Sequence, residues 1–218
     1  PSGSKIGIIG ATGSAKSSLA MLIPRLYDIS SGTLKVGQED IKDLDLVALR
    51  DSIGMVLQKN VLFSGTVRDN MKWGNPQASD AEILKALEQA GAKELVERFP
   101  GGLDMELGQQ GNNVSGGQKQ RLCIARALLK KPKILIFDDS TSAVDTKTDA
   151  KIRENLAEIE DLTQIIIAQR ISSIRHCDQI VVMDQGKIVQ VGTHDELLQS
   201  SPIYQEIYES QEGGGQDE

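Results

Sequence analysis

Lys5–Ser18 reads KIGIIGATGSAKSS. Its first part, Lys5 to Ile9, is a short apolar run with the length of a buried strand, and it enters a glycine-rich loop directly. Lys16 to Leu26 then carries helical periodicity. Strand, loop and helix in that order is the unit from which alternating α/β sheets are built. The loop, Gly10 to Ser18, follows the pattern G-x-x-x-x-G-K-[ST] with one fault: Ala15 stands where the second glycine belongs. In such a loop the backbone of Gly10, Thr12, Gly13, Ser14 and Ala15 wraps phosphate oxygens, and the following helix, entered through Ser17 and Ser18, points its positive end at the same charge. Lys16 would reach the β and γ oxygens and the Ser17 hydroxyl would ligate Mg²⁺. Alanine keeps its N–H but adds a methyl group that crowds the phosphate or strains the backbone. Taken alone, the broken pattern fits an ordinary glycine turn equally well.

Outward from this unit the alternation continues. Leu34–Val36 and Ile53–Leu57 read as strands with a helix over Leu44–Arg50 between them, and Ser79–Ala90 reads as a helix. There Ser79 and Glu82 have capping-box spacing, Ile83, Leu84, Leu87 and Ala90 share a face, and Gly91 stops the run. A further helix runs from Ser115 to about Lys130 and ends before Pro132. It leads to the apolar strand Ile134–Phe137, closed by Asp138 and Asp139. A helix over 146–160, a strand over 164–168, two short strands about Gln185–Gly186, and helices over 194–199 and 203–210 complete the pattern. The stretch 66–131 has no predicted strand. The reading is therefore a sheet core over 1–65 and 132–212, a helical insertion over 66–131, and a polar tail over 213–218, GGGQDE, expected to be disordered.

The bulk composition agrees. The 218 residues suffice for a substantial core, and with aromatics at 3% that core must be built from Ile, Leu, Val and Ala, as suits a parallel sheet. A net charge of −7 argues against nucleic acid as the main partner. Cys123 and Cys177 are far apart and outside any C-x-x-C, so they read as reduced thiols rather than a zinc or redox pair. No apolar run approaches the ~20 residues that span a bilayer, so any such span has to come from another segment or polypeptide.

Ser115–Arg121, SGGQKQR, is the second informative stretch. Ser115 and Gln118 form another S-x-x-Q capping box, and the two glycines expose backbone at a helix start whose free N–H groups and dipole suit a nucleotide's terminal phosphate. With the phosphate loop upstream and the Asp138–Asp139 strand end downstream, the chain resembles the ATP-binding-cassette (ABC) family over nearly its whole length. The resemblance implies an α/β fold: a RecA-like P-loop NTPase core with an inserted α-helical subdomain. Family members also carry N-terminal strands upstream of the phosphate loop, which are expected to be missing here because that loop follows Pro1 so closely.

The resemblance also assigns residues. Gln58 matches the glutamine that contacts Mg²⁺ and water and links the core to the insertion, although alone it would read as a solvated loop amide. Phe63–Asn70 looks like exporter-type cassettes. Asp138 would hold Mg²⁺, with Ser17 and Gln58. Asp139 occupies the place where competent members usually have a water-polarising glutamate; it is one methylene shorter, and a displacement of about 1 Å can cost on the order of 100-fold in rate. Gln169 stands at the switch-histidine position, where it can donate a hydrogen bond but lacks imidazole's titratable charge. Asp145 resembles the D-loop aspartate and is equally suited to cap the next helix. Gln109 replaces a glutamate frequent in related exporters, and His194, within Thr193–Glu196, reads as structural.

In this family two domains close head to tail, so each ATP lies between one subunit's phosphate loop and the other's signature. Ser115, Gly116, Gly117 and Gln118 would complete the partner's ATP site. Since Ala15, Asp139 and Gln169 depart from the pattern while the signature serine and glycines do not, the expectation is half of a heterodimeric exporter's motor. It would bind ATP and Mg²⁺, turn over slowly at its own site, and work with a second nucleotide-binding domain and the same transporter's transmembrane domain. Its place would be the cytoplasmic face of the cell membrane. Two other readings stand beside this one: a soluble ABC-type ATPase acting on DNA or ribosomes, and a regulatory nucleotide-binding module without transport.

Overall fold

The computed structural model describes residues 1–138 and 144–212. Asp139, Ser142 and the 213–218 tail lie outside the described residues. In chain order the elements are β1 (Lys5–Gly10), α1 (Lys16–Leu22), β2 (Lys35–Val36), β3 (Glu39–Asp40), α2 (Leu46–Asp51), β4 (Ile53–Val56), β5 (Gly65–Thr66), α3 (Val67–Lys72), α4 (Asp80–Gln89) and α5 (Lys93–Glu97). They continue with β6 (Glu106–Leu107), α6 (Gly116–Leu128), β7 (Ile134–Asp138), α7 (Thr146–Ala157), β8 (Thr163–Ile167), β9 (Gln179–Asp184), β10 (Lys187–Gly192), α8 (His194–Ser200) and α9 (Pro202–Glu212). The chain forms two compact units. Of the described residues, the first takes in 1–50, 136–138 and 163–212, the second 51–135 and 144–162.

The first unit is organised by strands in the order β10-β9-β1-β8-β7. β1 runs parallel to both neighbours, Ile8 facing Ile167 of β8 and Val181 of β9, while β10 closes the edge antiparallel to β9. Strands covered on both faces read as continuous apolar runs, and Ile9, Ile136, Ile180 and Val182 are fully buried. α9 packs against β1 and buries Tyr204 completely. The α/β class expected from the sequence is the class found. α1, however, stops at Leu22 rather than continuing to Leu26. Arg25 takes a left-handed φ of 51°, its N–H donates to Leu22 O at 3.0 Å, and Leu26 N–H donates to Met21 O at 3.0 Å. That pair of bonds is a Schellman closure, reached without the usual glycine.

The second unit is mainly helical. α6 packs on α4 and α3, burying Ile83 and Leu87 of α4 and Leu122 and Ile124 of α6 completely. Gly74 lets the chain pass α6 closely, since a Cβ there would sit 2.1 Å from Arg126 O. β4 lies in this unit, and just before it Ser52 O accepts from Lys133 N–H at 2.7 Å. The absence of strands expected over 66–131 is corrected here. Gly65–Thr66 pairs antiparallel with Glu106–Leu107, a ribbon too short for any alternation to register in sequence. α3 and α5, of six and five residues, also go unread; each is shorter than two helical turns, as is α2, which stands out only within the longer Leu44–Arg50 run. Cys123 and Cys177 are free and buried, and burial pushes the Cys123 thiol above its ordinary pKa.

Candidate functional site

β1 delivers the chain to Gly10, where no side chain fits: a Cβ would lie 2.0 Å from Met183 O on the paired strand. The loop then folds around its own lysine. Lys16 is buried, and its Nζ donates to Gly10 O at 2.8 Å, Ala11 O at 2.9 Å and Ser14 Oγ at 3.3 Å. A phosphate oxygen presented to this loop would share an ammonium that the loop already holds in place. Ala15 precedes α1 with φ 68° and ψ 21°, the left-handed region, so the missing glycine of the motif is felt as backbone strain. In that region an L-residue's Cβ crowds the carbonyl, at roughly 1–2 kcal/mol.

Two residues on, the Ser17 hydroxyl donates to Asp138 Oδ1 at 2.8 Å. Asp138 ends β7 and is 7% exposed. The strand order thus brings together, from positions 121 residues apart, a hydroxyl and a carboxylate. This hard-oxygen pair suits Mg²⁺, which takes one or two protein carboxylates and completes its shell with phosphates and water. Gln169 follows β8 and is exposed; its backbone carbonyl accepts from Gln211 Nε2 at 2.8 Å. Thr12, Gly13 and Ser18 are exposed along the same loop, and Ser14 is buried.

The remaining predicted residues belong to the second unit. Gln58 is exposed just past β4. The chain after it is fixed by fully buried Asn70, whose Oδ1 accepts from Phe63 N–H at 2.8 Å and whose Nδ2 donates to Phe63 O at 2.8 Å and Thr66 O at 3.0 Å. At α6, Ser115 and Gly116 are exposed, and the capping box is complete. Ser115 N–H donates to Gln118 Oε1 at 2.9 Å, and Gln118 N–H donates to Ser115 Oγ at 3.3 Å. Reciprocal capping uses two first-turn donors and leaves the glycine amides directed outward. Asp145 caps α7 by accepting from Thr148 N–H at 3.0 Å. That bond, with Arg121's charge as a lesser cause, holds its carboxyl below the usual range.

A family model described as "ABC transporter" matches residues 1–142. This chain belongs to the ABC transporter family. It is 47% identical over 208 residues to the uncharacterized ABC transporter ATP-binding protein YfiB of Bacillus subtilis (strain 168), covering 95% of this chain and 36% of the relative. It is 42% identical over 207 residues to YgaD of the same organism, named for multidrug export as an ATP-binding/permease protein, covering 94% of this chain and 36% of that protein. Among solved structures it resembles a bacterial Atm1-family ABC exporter with ATP bound, at a TM-score of 0.92 and 38% identity, over 96% of this chain and 37% of the other. The chain therefore spans a little over a third of the relatives it matches, and is an ATP-binding, ATPase-type domain of the family.

In this ABC domain the first unit gathers the phosphate loop, Asp138 and Gln169, while the second carries Gln58, the Ser115 tip and Asp145. Asp139 lies outside the described residues. Two contributors escaped the sequence reading. Asn70 had no signal beyond its place in the exporter-like Phe63–Asn70 segment, and Gln211 had none, because its contacts lie 40 and 42 residues away. Among the described residues no helix is long and apolar enough to cross a membrane, and no group of three His, Cys, Asp or Glu side chains could hold a metal by itself.

Proposed function

We propose that this domain binds Mg-ATP at a head-to-tail interface with a second nucleotide-binding domain, hydrolyses it slowly at its own site, and completes its partner's site with its signature. Lys16 and the loop amides hold the triphosphate, Ser17 and Asp138 hold Mg²⁺ with Gln58, and Gln169 meets the γ-phosphate. Mg²⁺ supplies charge neutralisation across the β and γ oxygens. Asp139 is too short to hold the attacking water where a glutamate would. In the intact protein this motor drives export from the cytoplasmic face through a transmembrane domain, and the multidrug export named for YgaD makes such a role the natural one. The division into a RecA-like core over 1–65 and 132–212 and a helical subdomain over 66–131 accompanies this reading.

One observation carries the asymmetry. The domain's own loop contains a residue in strained left-handed geometry, Ala15, while its outward-facing signature helix retains both bonds of its cap. The test is ATP hydrolysis by the unmodified domain, by the double variant Asp139→Glu, Gln169→His, and by the domain mixed with candidate partner domains. Slow turnover alone, a gain of about 100-fold from the double variant, and a partner-dependent rate lost on Ser115→Ala are expected. Brisk turnover by the unmodified domain alone would refute the assignment, and a partner rate indifferent to Ser115→Ala would favour a regulatory module.

A further inference from the structure

Just past β8, Ala168 N–H donates to Ile8 O of β1 at 3.0 Å. The chain then leaves the sheet through Gln169 and Arg170, the latter extended at φ −107° and ψ 131°, and enters a 3-10 turn at Ile171, which is 3% exposed. In extended backbone the carbonyl of one residue and the N–H two positions later point the same way. Gln169 O and Ile171 N–H form such a pair, and one side chain meets both. Gln211, in the last turn of α9, accepts from Ile171 N–H through Oε1 at 2.9 Å and donates to Gln169 O through Nε2 at 2.8 Å. A primary amide offers an acceptor and a donor side by side, so Gln211 acts here as one residue of an additional strand. The two backbone partners also fix which end of the amide is oxygen. α9 is itself anchored by Tyr204, whose hydroxyl meets His194 Nδ1 at 2.8 Å.

We propose that Gln211 is a positioning residue for the switch site: it holds the backbone around Gln169 so that the Gln169 side chain is presented to the γ-phosphate from a fixed base. The inference rests on the reading of Gln169 given above. Gln211 touches no nucleotide and acts only through residues 169–171.

The full chain is made as Gln169→Ala, Gln211→Ala, Gln211→Glu and the double alanine variant, and affinities for Mg-ATP and Mg-ADP are measured by calorimetry. Gln169→Ala should lower the ATP-over-ADP preference, Gln211→Ala should lower it similarly with ADP affinity unchanged, and the double variant should lose no more than either single one. Exchange of the Ile171 amide, followed by NMR, should quicken ~10-fold in Gln211→Ala, the loss of one hydrogen bond. In Gln211→Glu a carboxylate oxygen would face the Gln169 carbonyl where the amide donated, so the nucleotide preference should fall at least as far as in Gln211→Ala. Unchanged preference in Gln211→Ala, with or without faster Ile171 exchange, overturns the proposal while leaving Gln169's role standing. Unchanged preference in Gln169→Ala overturns the role of Gln169 and the positioning proposal with it.

Discussion

Ala15 holds a left-handed backbone that glycine adopts freely. Replacing it by glycine removes the roughly 1–2 kcal/mol of steric cost and returns about 0.4–1 kcal/mol to the unfolded chain's entropy. Ala15→Gly should therefore raise unfolding free energy by up to about 1.6 kcal/mol, read as a higher urea midpoint at constant slope. A lower midpoint would mean that the neighbouring loop bonds, not the methyl group, set the local energy. Tyr204 gives a pH-dependent test. Burial, before the lesser effects of Cys177 and Tyr208, pushes its hydroxyl up to about 12 from an ordinary value of 10.0. Above pH 10 the unfolded chain loses this proton while the folded chain keeps it, so the contribution is complete below pH 10 and is lost as pH rises towards 12. Wild type should lose on the order of 2 kcal/mol more than Tyr204→Phe across that window. Parallel curves for the two proteins would contradict it.

Helix ends link short sequence patterns to testable changes in stability. Ser79→Ala removes the side-chain half of the α4 cap and should cost about 1 kcal/mol, while leaving nucleotide affinity alone. Ser115→Ala should cost a similar amount and in addition abolish the partner-dependent rate. Glu82, reciprocal to Ser79, is held down to about 2 from 4.5 by its bond to Lys131 first and by Ser79 next. Its contribution is complete above pH 4.5 and disappears as pH falls towards 2, so wild type and Glu82→Gln should converge in acid unfolding. These caps were legible because both partners lie within four residues. The phosphate-loop unit was equally legible, being a buried run joined directly to its turn residues. The β5–β6 ribbon, α3 and α5 were not, since so few residues carry only a weak period; α2 and β2, as short, stood out only within the longer runs Leu44–Arg50 and Leu34–Val36. Asn70 closes on Phe63, seven residues back, and Gln211 on backbone 40 and 42 residues back; unlike the caps, neither contact follows a fixed short spacing.

At the scale of the molecule, a ligand that binds only the folded chain must stabilise it. Mg-ATP at about 100 times its dissociation constant should add about 2.7 kcal/mol, or roughly 5–10 °C in melting temperature for a chain this long. In Lys16→Ala the melting temperature should stop responding to ATP; a preserved response would place the triphosphate elsewhere. The family and α/β class could be inferred from three motifs, because each joins a recognisable residue set to a strand end or a helix start. The pairing of Ser17 with Asp138 needed the strand order, which no local pattern encodes. A practical opportunity comes from the two native thiols. Cys123 is 5% and Cys177 6% exposed, and the thiolate needed for alkylation is disfavoured at Cys123. Without first stripping the native sulfurs, a Gly116→Cys variant should therefore take a maleimide selectively at the exposed helix start, and the bulk added to the signature should shut out a second domain.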